Sequence, residues 1–292
     1  ADAPYATLAK AAEAAPDGAT IYVMSDVEMN QMAWVWEKEL TITSYGVDPV
    51  TLSRGENFHT NADPARQHYN PAMIEVGGET EQGTVSSLIL THIILDDMGK
   101  YEGEYFVQAD SEGDGETTVS RSEVPNTSIV QDAIIATYNG MGTITLGDGA
   151  ELRNYGGMSA VRLSGGELIM EEGSAILDTT ENEREKGASG SFGPAGAVWL
   201  QGGILTMNGG TIGGDKGVMM NGRALYADGG TANIGGTIQN IHGTDAAWQG
   251  QNGVAVHLRS HGEATLASTG EITNVTGTNA GNNCAIWTQF CN

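Results

Sequence analysis

Basic residues are scarce in this chain. It has 13 Lys and Arg against 37 Asp and Glu among 292 residues, which gives a formal net charge of −24 at pH 7. A negative charge of this size repels polyanions. We therefore expect neither nucleic acid nor an anionic membrane surface as a partner.

Long hydrophobic runs are also lacking. The longest apolar stretches, such as residues 88–95, are far shorter than the roughly 20 residues that span a bilayer, so we expect no membrane insertion. Prolines number only 7, and 39% of the residues are hydrophobic, so the chain can build a core and is not a linker. It begins at Ala1 without a charged and then apolar leader, which we interpret as a processed mature protein or an excised part of a longer one.

Cysteine occurs only twice, at Cys284 and Cys291. We interpret the two as a disulfide that closes the C-terminal turn in an oxidising compartment, and two free thiols are the alternative. The absence of a C-x-x-C spacing argues against structural zinc.

Glycine, by contrast, is abundant, at 42 residues, and it punctuates an internal repeat. Each repeat contains short strands with alternating apolar residues, separated by Gly-Gly, Asp-Gly or Asn-Gly turns. Short strands at this spacing predict the coils of a solenoid, about eight in number. The pattern lacks both the helix of a leucine-rich repeat and the four strands of a propeller blade. The repeats are anchored by Ala133, Ala160, Ala197, Ala224, Ala255 and Ala285.

The N-terminal residues predict a cap for the first coil. Leu8, Ala11, Ala12 and Ala15 share one helical face, and Pro16-Asp17-Gly18 ends the pattern before a strand begins. A short helix there would cover the open end of the solenoid. We expect one domain over residues 1–292, with a helical cap at 1–18 and long corner loops at 96–130 and 178–195.

Two segments carry a resemblance to a known superfamily. Residues 7–23, and coils of the form Gly-Gly-x-Leu-x-Met-x-x-Gly-x-Ile such as 202–212, resemble pectate-lyase-like right-handed parallel β-helices. They are similar above all to surface proteins of gut-dwelling and other Gram-positive bacteria. The resemblance implies an all-β, right-handed parallel β-helix and a secreted or cell-surface location. It does not imply one activity, because the superfamily contains lyases, glycoside hydrolases and adhesin-like proteins.

One column of the repeat predicts a binding surface. Two positions after each anchor alanine, the side chain should face outward by strand alternation. Aromatic rings beside polar groups suit the apolar faces of sugars, so this column predicts a groove for carbohydrate, unless a corner loop packs over it. The column reads Ile135, Arg162, Trp199, Tyr226, His257 and Trp287.

The corner loops carry many of the acidic residues, and three interpretations are open. The first interpretation is a run of solvated charges. The second is the carboxylate pair of a carbohydrase, formed by Asp178 with Glu181 or Glu185. Asp97 or Asp132 would then be a spatial neighbour of this pair. The third interpretation is a calcium site at Asp110, Glu112, Asp114 and Glu116, whose alternating acids resemble a hard-cation loop. A further loop, 240–252, adds Trp248 to the predicted ligand-binding residues.

Three functions follow as expectations. The first is an extracellular bacterial module that binds carbohydrate or a host glycoprotein along the column. The second is a glycoside hydrolase on neutral oligosaccharides, similar to lacto-N-biosidases, and the third is a ligand-free stalk of a larger surface protein. Polyuronate lysis is disfavoured, because a net charge of −24 repels such a substrate. No cofactor is required by these expectations, apart from calcium if its site exists.

Overall fold

The computed structural model describes residues 4–59, 72–77, 85–98, 104–108, 116–120, 133–138, 142–155, 159–178, 196–214, 220–221, 223–243, 254–277 and 284–289. The chain winds through eight coils of three strands each. Coils one to three contain α1 (Leu8–Ala14), β1 (Ala19–Val23), β2 (Val27–Gln31), β3 (Ala33–Val35), β4 (Glu39–Ser44), β5 (Val50–His59), β6 (Ala72–Gly77), β7 (Ser87–Thr91), β8 (Ile93–Asp96), β9 (Glu104–Gln108), β10 (Glu116–Ser120) and β11 (Ala133–Tyr138).

The remaining five coils repeat the same order. They contain β12 (Thr143–Leu146), β13 (Ala150–Arg153), β14 (Ser159–Leu163), β15 (Glu167–Met170), β16 (Ala175–Asp178), β17 (Val198–Leu200), β18 (Ile204–Met207), β19 (Thr211–Gly214), β20 (Met220–Asn221), β21 (Arg223–Asp228), β22 (Thr231–Ile234), β23 (Thr237–Gly243), β24 (Val254–Arg259), β25 (Glu263–Leu266), β26 (Glu271–Gly277) and β27 (Cys284–Gln289).

Equivalent strands of successive coils pair in parallel and build three sheets. Sheet 1 takes the first strand of every coil in the order β1-β4-β7-β12-β15-β18-β22-β25, and sheet 3 takes the last in the order β3-β6-β11-β14-β17-β21-β24-β27. Sheet 2 takes the middle strands from β2 to β26 and also β20, which pairs with β23. The protein is therefore an all-β, right-handed parallel β-helix, as the sequence predicted.

The core fills the space between the three sheets. Inward columns of aliphatic side chains stack from coil to coil, and almost all of them are fully buried. In sheet 1, for example, one column runs through Ile42, Leu90, Leu146, Met170, Met207 and Ile234.

Glycines at the turn from sheet 3 to sheet 1 allow the coils to approach closely. Gly166, Gly203 and Gly230 all have φ between +76° and +81°. A Cβ on Gly166 would lie 2.1 Å from the backbone oxygen of Gly142. Only glycine combines this left-handed backbone with so short an approach, which explains the Gly-Gly pairs of the repeat.

Helix α1 covers the first coil. Thr7 precedes it with an extended backbone, and its side chain accepts a hydrogen bond from the backbone N–H of Lys10. Leu8, Ala11 and Ala12 are buried, as predicted, and the helix packs on β3. Lys38, from the next coil, donates through Nζ to three carbonyls at the end of the helix, including that of Ala15 at 2.9 Å.

The long connections all join sheet 2 to sheet 3. These connections are residues 60–71, 97–132, 179–197 and 244–253. The predicted loops at 96–130 and 178–195 therefore share one corner of the solenoid. The longer one is not entirely loop, because β9 and β10 form an antiparallel pair within it.

Candidate functional site

A single file of eight side chains runs along the outer face of sheet 3, and we call it the outer file. Its members are in register from one strand to the next, and in most coils the inward residues on either side of the member belong to the core. From coil one to coil eight the outer file reads Trp34, Glu75, Ala136, Arg162, Trp199, Tyr226, His257 and Trp287.

The outer file contains the predicted column, with one correction. Arg162, Trp199, Tyr226, His257 and Trp287 follow one another as predicted. Ile135, however, pairs with the core residue Val161, and Ala136 occupies the outward position beside Arg162. The register of this coil was wrong by one residue, because Ala133-Ile-Ile-Ala136 is apolar throughout and has no alternation to set it.

Trp34 and Glu75 extend the outer file and were missed from the sequence. Their strands precede Ala133, the first anchor of the repeat, and their sequences differ from that of the repeat. A signal was nevertheless present, because each residue lies between two small or apolar residues, as Trp199 does: Ala33 and Val35 flank Trp34, and Ile74 and Val76 flank Glu75.

Rings and cations of the outer file stack on one another. The guanidinium carbon of Arg162 lies 5.0 Å from the ring centroid of Trp199. Ring centroids are 6.4 Å apart for Trp199 and Tyr226, 4.9 Å for Tyr226 and His257, and 4.3 Å for His257 and Trp287, whose planes differ by only 14°. Since the coils are about 4.8 Å apart, each inner ring lies against the residues of the neighbouring coils. Of these three ring pairs, His257 and Trp287 are stacked face to face, and the other two are tilted, at 37° and 47°.

The middle of the outer file is buried, whereas its C-terminal part is partly exposed. Glu75, Arg162, Trp199 and His257 are at most 6% exposed. Tyr226 and Trp287 are of intermediate exposure. Among the described residues, the indole Nε1 of Trp199 has no hydrogen-bond partner. A ligand on this face would therefore meet ring edges and polar atoms rather than a row of open ring faces.

Three arginines give the outer file a local positive charge. Burial lowers the pKa of Arg162 to about 10, and the Glu75 carboxylate partly offsets this effect. The guanidinium stays protonated at pH 7, and its Nε donates to the side-chain oxygen of Gln201 at 2.7 Å. Burial likewise lowers the pKa of Arg223 to about 10, and the guanidinium carbon of Arg223 lies 5.1 Å from the Tyr226 ring centroid.

The third arginine, Arg259, lies beside the exposed part of the outer file. Its Nη1 donates to the Tyr226 hydroxyl at 3.2 Å, and this hydrogen bond raises the pKa of Arg259. Tyr226 therefore has one cation held at its hydroxyl and another near its ring.

The predicted catalytic residues lie mostly outside the described part of the chain. Asp178 is the last residue of β16, with its backbone paired to Gly214. Its side chain, together with Glu181, Glu185 and Asp132, lies outside the described residues. The proposed neighbour Asp97 is fully buried and forms an ion pair with Arg54, which marks it as structural. The hydrolase pair stays a prediction.

Other predicted sites are partly or wholly outside the described residues. Of the calcium loop, only the backbone of Glu116 is described, at the start of β10, and Asp110, Glu112 and Asp114 lie outside. Within the described residues, no group of three or more potential metal ligands comes together. Trp248 also lies outside.

The disulfide stays a prediction as well. Cys284 begins β27, and burial raises the pKa of its thiol. Cys291 lies outside the described residues, and no disulfide is found within them.

Comparisons with known proteins add no relative. No family model, no curated protein and no solved structure matches the chain. Over the described residues, no helix is both long and apolar enough to cross a bilayer. The fold and the outer file are thus the observations on which a function can be based.

Proposed function

We propose that this protein is a secreted or cell-surface β-helix that binds carbohydrate at the C-terminal part of the outer file. The observation that carries the proposal is the combination of two partly exposed rings, Tyr226 and Trp287, with the guanidinium of Arg259 bound to the Tyr226 hydroxyl. The resemblance to pectate-lyase-like β-helices supports the extracellular location and the class of ligand.

The stacking geometry defines how a sugar would bind. One face of Trp287 lies on His257, and no described residue stacks on the other face. That second face suits the C–H groups of a pyranose ring, which pack well on indole. Tyr226 lies on the other side of His257, so its hydroxyl and the Arg259 guanidinium would accept from and donate to the hydroxyls of a further unit of the same glycan chain.

The charge distribution favours a neutral glycan. The protein carries a net charge of −24, which opposes the approach of an acidic polysaccharide. The two arginines beside Tyr226 do not reverse that overall charge. We assign a structural role to the buried middle of the outer file, because its groups contact one another. Arg162 lies over the ring of Trp199, and Trp199 and His257 both contact the ring of Tyr226.

Glycan-array binding followed by calorimetry tests this proposal. We expect neutral glycans to bind the wild-type protein and Trp287→Ala to weaken binding about tenfold, because the stacking surface is lost. Tyr226→Phe should weaken it less, since only the hydroxyl is removed. Trp34→Ala removes a tryptophan from the opposite end of the same file and is the matched control, with far-UV circular dichroism confirming the fold of each variant. Equal binding by Trp287→Ala and the wild type would reject the outer file as the binding surface.

A further inference from the structure

A pair of exposed tyrosines lies at the opposite end of the solenoid, at the turn from sheet 1 to sheet 2. Tyr22 is 58% exposed and Tyr45 is 66% exposed, and Met24 and Val47 beside them are 64% and 92% exposed. Among the described residues, ten large apolar side chains are exposed, and four of the ten lie in these two consecutive turns or in the strand end before them. We call these four residues the tyrosine patch. Such a concentration of exposed apolar surface is typical of an interaction site.

The backbone holds the two tyrosines next to each other. Val23 pairs with Ser44, and both side chains are buried, so strand alternation directs Tyr22 outward. The backbone N–H of Tyr45 donates to the carbonyl of Val23 at 2.9 Å, so Tyr45 lies one coil above the start of the turn that follows Val23.

Side-chain hydrogen bonds make both turns rigid. The Ser44 hydroxyl accepts from the backbone N–H of Val50 at 2.8 Å and closes the turn that carries Tyr45. An Asp26 carboxylate oxygen accepts from the backbone N–H of Thr51 at 2.8 Å and ties the first turn to the second. The tyrosine patch is therefore preorganised, which reduces the entropy lost when a ligand binds.

The two rings leave aromatic faces open to solvent. Their centroids are 6.0 Å apart and their planes are nearly perpendicular, at 88°. In such an edge-to-face pair, one ring keeps both faces free and the other keeps one. This is the opposite of the outer file, in which the inner rings have their faces covered by neighbours. The two rings therefore form a corner, in which one ring plane stands perpendicular to the other.

The polar groups around this corner favour an uncharged polyhydroxyl ligand. Thr43 and Thr91 continue the row of Tyr22 along sheet 1 and present hydroxyl groups. The turns contribute the exposed carboxylates of Asp26 and Asp48, and neither residues 20–26 nor residues 44–51 contain Lys, Arg or His. Hydroxyls and carboxylates accept hydrogen bonds from sugar hydroxyls, whereas an anionic ligand would be repelled.

We propose that the tyrosine patch is a second carbohydrate site, which binds one neutral pyranose unit. The C–H face of the sugar packs on an open tyrosine ring, and its hydroxyls reach the neighbouring carboxylates and threonines. This site does not depend on the proposed function, because the tyrosine patch belongs to sheet 1 and the first two coils, whereas the proposed binding part of the outer file belongs to sheet 3 and the last coils.

Saturation-transfer NMR and calorimetry with the whole chain test the proposal, with cellohexaose, maltohexaose, mannohexaose and chitohexaose as probes. We expect at least one probe to bind. Tyr22→Ala and Tyr45→Ala should each weaken its binding about tenfold, because each removes a wall of the corner. Tyr45→Phe should bind within about threefold of the wild type, since the ring is kept.

Two controls separate this site from the rest of the molecule. Ile204→Ala removes another exposed apolar side chain of sheet 1, and Trp287→Ala removes the exposed ring of the outer file. Both should leave binding at the tyrosine patch unchanged. Absence of binding to all four probes would overturn the proposal. So would wild-type affinity in Tyr22→Ala and Tyr45→Ala, and a loss in Trp287→Ala alone would assign the sugar to the outer file instead.

Discussion

The first and last coils have the same three-sheet plan but differ in how well their core side chains are buried. In the first coil, Ala33 and Val35 are fully buried beneath α1. In the last coil, Ile286 lies in the same inward column of sheet 3 as Ala33 and is 47% exposed, and Leu266, in an inward column of sheet 1, is 48% exposed. One coil earlier, Ile234 and Val256 in those columns are at most 1% exposed.

This difference shows what buries a side chain in a solenoid. The sheets of a coil direct the side chain inward, but the coils above and below it exclude the water. At the first coil, α1 takes the place of a preceding coil. Among the described residues, nothing takes that place over Leu266 and Ile286. Three experiments test this comparison, from the largest expected effect to the smallest.

Leucine truncation in one inward column of sheet 1 should give the largest contrast. Leu146 and Leu266 share that column, but Leu146 is fully buried. We expect Leu146→Ala to lower the free energy of unfolding by about 3 kcal/mol, and Leu266→Ala to lower it by less than about 1 kcal/mol. Urea unfolding monitored by circular dichroism measures both. Equal losses would show that burial by neighbouring coils does not set the cost.

Leu8→Ala should weaken the cap itself. The Leu8 side chain is 7% exposed and belongs to the core beneath α1, so its truncation should lower the free energy of unfolding by about 2 kcal/mol. Lys10→Ala, at an exposed position of the same helix, should change it by less than about 0.5 kcal/mol. If both variants unfold at the same urea concentration as the wild type, α1 does not stabilise the first coil.

Lys38→Met should have the smallest effect and should act locally. The ammonium group satisfies three carbonyls at the C-terminal end of α1, and its loss leaves them to water. We expect a loss of about 1 kcal/mol, seen as faster amide hydrogen exchange in α1 and unchanged exchange in β25–β27. Faster exchange in the last coil as well would mean that the two ends are coupled rather than independent.

Most of the fold could be predicted because each repeat consists of glycine turns and of strands in which apolar and polar residues alternate. Five of the six anchor alanines have the predicted register, and the sixth, Ala133, is shifted because its strand is apolar at every position. The helix ending before Pro16 was predicted from its apolar face. The antiparallel pair of β9 and β10 was not, since it interrupts the repeat.

The candidate site was predictable in composition but not in geometry. The order Arg162, Trp199, Tyr226, His257, Trp287 follows from the repeat alone. The stacking of these side chains depends on the orientations of their rings, and the burial of Trp199 depends on the residues that surround it. Neither the ring orientations nor the burial can be predicted from the spacing of residues. The tyrosine patch escaped notice for a similar reason: Tyr22 ends up beside Tyr45 only because β1 pairs with β4, and these two coils precede the repeat that the sequence shows most clearly.

The sequence by itself determined the parallel β-helix, its number of coils and the line of residues along sheet 3. It could do so because a period-2 strand and a glycine turn act locally, and a repeat converts local rules into a whole solenoid. Only the tertiary structure decided which aromatic faces are open, which core columns are sealed and where the exposed tyrosines meet. Those properties depend on contacts between coils, since exposure is set by neighbours that are distant in the chain.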